Sequence, residues 1–215
     1  MQLTLPFERN VTLVGSGPFE EIDLEMCLGL APNLIAADGG ANALFSLGYS
    51  SSAIIGDMDS VRADAIASHR GGFYNVDNQN TTDFEKCLTS ISAPKLIGLG
   101  FLGGRLDHEL ANLSALVKFS NQKCVLIGLE DICFLSPLKF EIELPLGERV
   151  SLFPMGEVEG LSEGLLYPIK NLVFDPSLKI GTSNEVTDIV SLSFTKRKVL
   201  IIIPKKYLLN VLELL

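Results

Sequence analysis

Tryptophan is absent from this 215-residue chain, and histidine occurs only twice, as His69 and His108. So small a supply of imidazole excludes a histidine-rich zinc centre. The four cysteines, Cys27, Cys87, Cys124 and Cys133, form no CxxC pair and stand among apolar residues. They read as small buried hydrophobes in a reducing compartment, not as a disulfide frame. No Gly-Lys pair occurs, so there is no Walker A loop, and the protein-kinase signature set is missing too. No apolar run approaches the ~20 residues that cross a bilayer. The strongest run, Val199 to Ile203, has the length of a strand. Met1 to Arg9 lacks the basic start and long apolar stretch of a signal peptide, which leads to the expectation of a soluble cytoplasmic protein. Basic residues are in deficit as well: 17 Lys and Arg against 26 Asp and Glu give a formal net charge of −9. Nucleic acid and anionic membrane surfaces both call for the opposite balance, so neither is an expected partner.

What is present is enough for a sizeable core, since 47% of the residues are apolar. Short apolar runs at Val11–Val14, Leu34–Ala37, Ala53–Ile55, Lys95–Leu99 and Cys124–Ile127 are mostly bounded by Gly, Pro, Asp or Asn. Between them lie candidate helices at Phe19–Leu30, Ala41–Leu47, Val61–His69, Thr82–Ile91 and Arg105–Phe119. The last has the clearest pattern, with Leu106, Leu110, Leu113 and Val117 at helical spacing. This alternation predicts an α/β N-terminal domain with a mostly parallel, doubly wound sheet over residues 1–133. Beyond about Ile132 the period changes to two. Phe140, Ile142 and Leu144 alternate with glutamates, and Val190, Leu192 and Phe194 with serines. Residues 134–215 are therefore expected to form an all-β, sandwich-like C-terminal domain, with a short helix conceivable from Tyr207 to Leu215.

Chemistry concentrates at the ends of the early runs. In Gly56-Asp57-Met58-Asp59-Ser60, Asp57 and Asp59 converge just beyond a strand's carboxyl end, where open α/β sheets bind ligands. Adjacent carboxylates repel unless a cation lies between them, and Mg²⁺ with phosphate is the natural occupant. A turn in which Asp59 or Ser60 caps the next helix accounts for the pair equally well. In Thr82-Asp83-Phe84-Glu85-Lys86, Asp83 and Lys86 share one face of a helix start, as phosphoryl chemistry or a surface ion pair would have it.

The segment from Gly98 to His108 matches GxGxxG literally, but Glu130 and Asp131 fall late for the ribose-binding acid of a dinucleotide fold. Gly103 and Gly104 instead let backbone N–H groups approach an anion. Arg105 can fork onto phosphate oxygens, and Asp107 can hold metal or orient a nucleophile. His108 reads as a packing or orienting residue. Ala37-Asp38-Gly39-Gly40-Ala41-Asn42 is a further strand-to-helix turn with room for a nucleotide.

In this order, AADGGAN, IGDMDS, QNTTDFEK and GGRLDH, followed by Gly181-Thr182-Ser183-Asn184, resemble thiamin pyrophosphokinase from about Val11 to Pro204. The resemblance implies transfer of the diphosphoryl group of ATP to thiamin, with Mg²⁺ as cofactor, in a homodimer. It implies that Asp57, Asp59, Asp83 and Asp107 serve Mg²⁺ and catalysis, together with Lys86 and Arg105. The nucleotide side would take in Asp38, Gly39, Gly40, Asn42, Gln79, Thr82, Gly103, Gly104, Arg105 and His108. Ser183 and Asn184 would contact thiamin. Asn80 stands where the family often has Asp. Without Trp, aromatic stacking on thiamin must use Phe or Tyr or be missing. Competing readings are a nicotinamide-dependent oxidoreductase, resting on Gly98, Gly100 and Gly103, and a noncatalytic thiamin or nucleotide sensor.

Overall fold

The computed structural model describes residues 4–78, 80–170, 172–181 and 183–215. The chain divides into two compact units: the described part of Met1–Ala115 with Asn121–Leu129, and Leu116–Ser120 with Glu130–Leu215. The fold is mixed α/β and rich in sheet.

The first unit opens with β1 (Leu5–Pro6), β2 (Val11–Val14), α1 (Glu21–Leu30), β3 (Asn33–Ala37), α2 (Gly40–Ser46) and β4 (Ala53–Gly56). There follow α3 (Ala63–Ser68), β5 (Gly72–Asn75), α4 (Asp83–Ser90), β6 (Ile91–Ser92), β7 (Leu96–Leu99), α5 (Leu106–Lys118) and β8 (Cys124–Ile127). β2, β7 and β8 pair in parallel, with Val11 opposite Leu96 and Leu96 opposite Cys124. β3, β4 and β5 form a second parallel set. A bridge from Val11 to Pro32 and a hydrogen bond from the Thr12 hydroxyl to the Ala31 carbonyl (2.7 Å) lay β3 beside β2. Every residue of β2, β4, β7 and β8 is buried, as parallel strands covered on both faces require. Gly15, Asp38, Asp57 and Gly100 each directly follow a strand, so one edge of this unit collects the ends of β2, β3, β4 and β7.

Helix positions match the sequence reading to within a few residues. Leu106 and Leu110 are exposed, whereas Asn112, Ala115 and Leu116 are buried. The leucine stripe that marks the helix is thus not its buried side. β5 went unforeseen because Gly-Phe-Tyr-Asn is short and alternates only between intermediate and exposed positions. All four cysteines are buried and none forms a disulfide. Burial pushes the Cys27 thiol up to about 12, which keeps it unreactive.

The second unit contains β9 (Asp131–Leu135), β10 (Lys139–Ile142), β11 (Arg149–Pro154), β12 (Val158–Leu165), β13 (Leu172–Phe174), β14 (Ser183–Phe194), β15 (Val199–Pro204) and α6 (Leu208–Leu214). All its pairings are antiparallel. The long β14 serves several partners: its first residues pair with β11, and Val190–Ser193 pair with β10. The alternation of Phe140 and Ile142 with Lys139 and Glu141 places the apolar pair inside.

Just beyond β15, Lys206 and Tyr207 clasp Glu148 at 2.6 and 2.7 Å. The hydrogen bonds from Lys206 and Tyr207 hold the Glu148 carboxyl at about 2, below its ordinary value of 4.5. A depressed carboxylate stabilises the fold above its unfolded value and loses that contribution as pH falls through the folded one. Glu148→Gln should therefore cost on the order of 1 kcal/mol at pH 7. In urea titrations the gap to the parent protein should narrow between pH 4.5 and pH 3; a gap independent of pH would contradict the clasp.

Candidate functional site

The edge that gathers the strand ends in the first unit carries a cleft of about 600 Å³. Its floor begins with two glycine turns locked together. The Gly15 N–H donates to the Leu99 carbonyl and the Gly17 N–H to the Gly100 carbonyl, each at 2.8 Å. The Gly15 and Gly17 amides are thus committed to the protein and are not free for a phosphate. Phe84 and Phe101 meet at 4.6 Å between ring centroids, and the buried Asn112 anchors the Phe101 carbonyl at 2.8 Å.

Asp38, Asp57 and Asp59 bring carboxylate oxygens within 4.8 Å of one another. Asp38 is only 1% exposed and sits at φ +39°, a conformation few side chains adopt without support. Its N–H donates to the Ile55 carbonyl at 2.8 Å, so the end of β4 holds it in place. Gly56 makes the approach possible: a Cβ there would stand 2.7 Å from the Asp38 Cβ. Among the described residues, Asp38 Oδ1 is the one buried side-chain oxygen or nitrogen without a hydrogen-bond partner. Burial, and then the charge of Asp83, raise the Asp38 carboxyl above its ordinary value. An orphaned buried oxygen facing two further carboxylates is the donor set that a hard divalent cation satisfies.

Lys86 enters beside this cluster from α4. It is 3% exposed, and its Nζ lies 2.9 Å from both Asp57 Oδ2 and Asp83 Oδ1. Burial pulls the ammonium down, but the bonds to Asp83 and Asp57 outweigh it and leave Lys86 raised and charged. The same hydrogen bond from Lys86 lowers Asp57. Thr82 starts the helix with a capping box, accepting from the Glu85 N–H at 3.2 Å, so its hydroxyl serves the fold.

Of the residues singled out in the sequence, Asp57, Asp59, Thr82, Asp83, Lys86, Gly104, Arg105 and His108 line the cleft. Asp83 is bound to Lys86 and stands outside the three-carboxylate cluster. Asp107 is exposed and outside it too; the Arg105 guanidinium grips it through Nε and Nη2, at 3.1 and 2.6 Å, and holds its carboxyl at about 2. Asn42 clasps the loop beyond Asp59, donating to the Ser60 carbonyl and accepting from the Arg62 N–H, both at 2.8 Å. Gly39 and Gly40 let α2 start against the end of β2: a Cβ on Gly40 would meet the Val14 carbonyl at 2.0 Å. Gly103 approaches Pro18, and its N–H is held by Glu109. Gln79 lies outside the described residues. Ser16, Pro18, Thr81 and Phe101, which lay within motifs but were given no role, also line the cleft, as do Glu109 and Asn112, which lay in none.

In the second unit Ser183 is exposed at the start of β14, whereas Asn184 is buried. The Asn184 side chain accepts from the Tyr167 N–H at 3.0 Å and donates to the Tyr167 carbonyl at 2.7 Å. It is therefore spent on the backbone of Tyr167, whose ring is 64% exposed.

Comparison with known proteins completes the picture. Residues 24–127 match the thiamin pyrophosphokinase catalytic domain, and residues 138–199 match the thiamin pyrophosphokinase vitamin B1 binding domain. The chain is 31% identical to thiamine pyrophosphokinase 1 of rice, the match covering 72% of each chain. The chain belongs to the thiamin pyrophosphokinase family. Thiamine pyrophosphokinase 1 of Arabidopsis thaliana is 28% identical over 72% of this chain and 71% of its own. The fold of thiamin pyrophosphokinase from Candida albicans superposes with a TM-score of 0.78 at 18% identity, over 92% of this chain and 90% of that one. Among the described residues no helix is long and apolar enough to cross a membrane.

Proposed function

We propose that this thiamin pyrophosphokinase moves the diphosphoryl group of ATP onto thiamin through the cleft of the first unit, releasing AMP. The observation that carries this reading is the juxtaposition of the Asp38–Asp57–Asp59 cluster with the buried Lys86 ammonium. It joins a cation site to a fixed positive charge, as polyphosphate binding requires. In finer terms, residues 1–133 form a doubly wound catalytic domain and 134–215 a β-sandwich that recognises thiamin, although residues 116–120 and 130–133 fold with the second unit. A cytoplasmic location agrees with four buried cysteines that form no disulfide.

Asp38, Asp57 and Asp59 would hold Mg²⁺. Bound there, the ion supplies positive charge that polarises phosphate oxygens. Lys86 meets the same oxygens from the α4 side, and Arg105 becomes available to them by exchanging Asp107 for phosphate. The thiamin hydroxyl oxygen bonds to the β-phosphorus as the bond from that phosphorus to the α-β bridging oxygen breaks; AMP departs with the electron pair, and the hydroxyl proton passes to solvent water. Asp57 and Asp107 are both depressed by their cationic partners and are weak bases. Positioning and charge neutralisation, not strong base catalysis, therefore carry the step, consistent with a loose phosphoryl-transfer transition state.

Tyr167, presented by Asn184, offers thiamin the aromatic surface that no Trp supplies. Asn184→Ala should free the Tyr167 backbone and raise KM for thiamin about tenfold, with a smaller effect on kcat; an unchanged KM would contradict this. The exposed Leu106 and Leu110 of α5 are the surface we assign to homodimerisation. The reading is tested by thiamin-dependent release of AMP from ATP. Release should stop on chelation and resume with Mg²⁺; AMP release that ignores thiamin would overturn it.

A further inference from the structure

The loop entering α5 already holds an anion, and it belongs to the protein. The Gly103 N–H donates to Glu109 Oε2 at 2.8 Å. Glu109 lies in the first turn of α5, where a carboxylate is favoured by the helix dipole, and it lines the same cleft as Gly104 and Arg105. Gly103 has φ +77° and is exposed, and a Cβ built on it would stand 3.4 Å from Pro18. The neighbouring donors are matched in the same way: Asp107 takes the Arg105 guanidinium and, through Oδ1, the His108 N–H at 3.0 Å. A phosphate oxygen that uses the Gly103 N–H must therefore take it from Glu109.

We infer that Glu109 is an internal competitor for the nucleotide phosphates, weakening ATP binding and helping AMP to leave by reclaiming the Gly103 N–H. The inference rests on the assignment of this cleft to ATP. A single charge-assisted hydrogen bond at an exposed loop is weak enough to exchange in every turnover. The displaced carboxylate stays close to the incoming polyphosphate and repels it. Both effects act on nucleotide affinity and not on thiamin, which makes Glu109 a positioning residue for substrate entry and product exit, not a catalytic one.

The test compares the parent protein with Glu109→Gln and Glu109→Asp, measuring KM for ATP, the inhibition constant of AMP and KM for thiamin. Gln keeps the length but not the charge; Asp keeps the charge but falls one methylene short of Gly103. Glu109→Gln should lower KM for ATP and the AMP inhibition constant together, by about three- to tenfold, leaving KM for thiamin in place. Glu109→Asp should shift the two nucleotide constants the same way by a smaller factor. A rise in either nucleotide constant, or both remaining within twofold in Glu109→Gln, would overturn the inference and make Glu109 a brace for the loop. Parent-like constants in Glu109→Asp beside tighter binding in Glu109→Gln would also overturn it, since net charge would then govern without the Gly103 contact. Should Glu109→Gln fail to fold, the direction of the shift in Glu109→Asp decides. The functional reading fails separately: a parent protein that releases no AMP from thiamin and ATP sinks both, whereas parent turnover with unmoved constants in Glu109→Gln sinks only this one.

Discussion

Asp57→Asn should lower kcat by about 10³-fold or more while the protein stays folded. Asp57 is shared by the two halves of the site: it belongs to the three-carboxylate cluster and also accepts the Lys86 ammonium. The amide keeps the shape and removes the charge. Asp38 and Asp59 would then face a cation with one fewer anionic ligand, and Lys86 would retain only Asp83. Folding is spared because three carboxylates whose oxygens lie within 4.8 Å of one another repel. Neutralising one member relieves that repulsion. Calorimetric titration with Mn²⁺ should show weakened binding in the same variant, and near-normal activity with parent-like Mn²⁺ affinity would reject the role given to Asp57.

Lys86→Met should be nearly as damaging, for a different reason. Met matches the stem of Lys but leaves Asp57 and Asp83 facing each other without their shared cation. The loss should appear as a drop in kcat of about 10²- to 10³-fold, the usual consequence of removing a preorganised positive group from a developing charge. Stability should also fall, by on the order of 2 kcal/mol at neutral pH, since the two carboxylates become uncompensated. Lowering the pH should recover part of that stability by protonating one of them, and it should not restore turnover. A variant with normal kcat would place the charge that matters elsewhere in the cleft.

How far the site was legible in the sequence depended on how local each device is. Gly56 to Ser60 and Thr82 to Lys86 announced themselves because carboxylate, cap and ammonium lie within one turn or strand end. Asp38 was visible as part of a glycine turn, but its place beside Asp57 and Asp59 arises only because β3 and β4 run in parallel and end together. Asp107 was grouped with the metal carboxylates on the strength of the motif, and only the geometry shows it turned to Arg105. Ser183 and Asn184 were both read as thiamin contacts; the structure turns the Asn184 amide inward onto Tyr167, a pairing between β14 and a loop that no local pattern encodes.

The fold was similarly uneven. Buried parallel strands stood out as apolar runs, and the period-two stretches marked β10 and the end of β14. β5 did not, because its residues are neither strongly apolar nor strictly alternating in character. The leucine stripe of α5 identified the helix, and Leu106 and Leu110 within it are exposed. Periodicity reports that a face is apolar, and it does not say which surface covers that face.

The central claim, that the β-phosphorus of ATP is attacked, is tested most directly by the phosphorus spectrum of a completed reaction. Purified protein incubated with thiamin, ATP and Mg²⁺ and followed by ³¹P NMR should yield the AMP singlet together with the paired doublets of thiamin diphosphate, in equal amounts. Thiamin monophosphate with ADP would show attack at the γ-phosphorus and contradict the account.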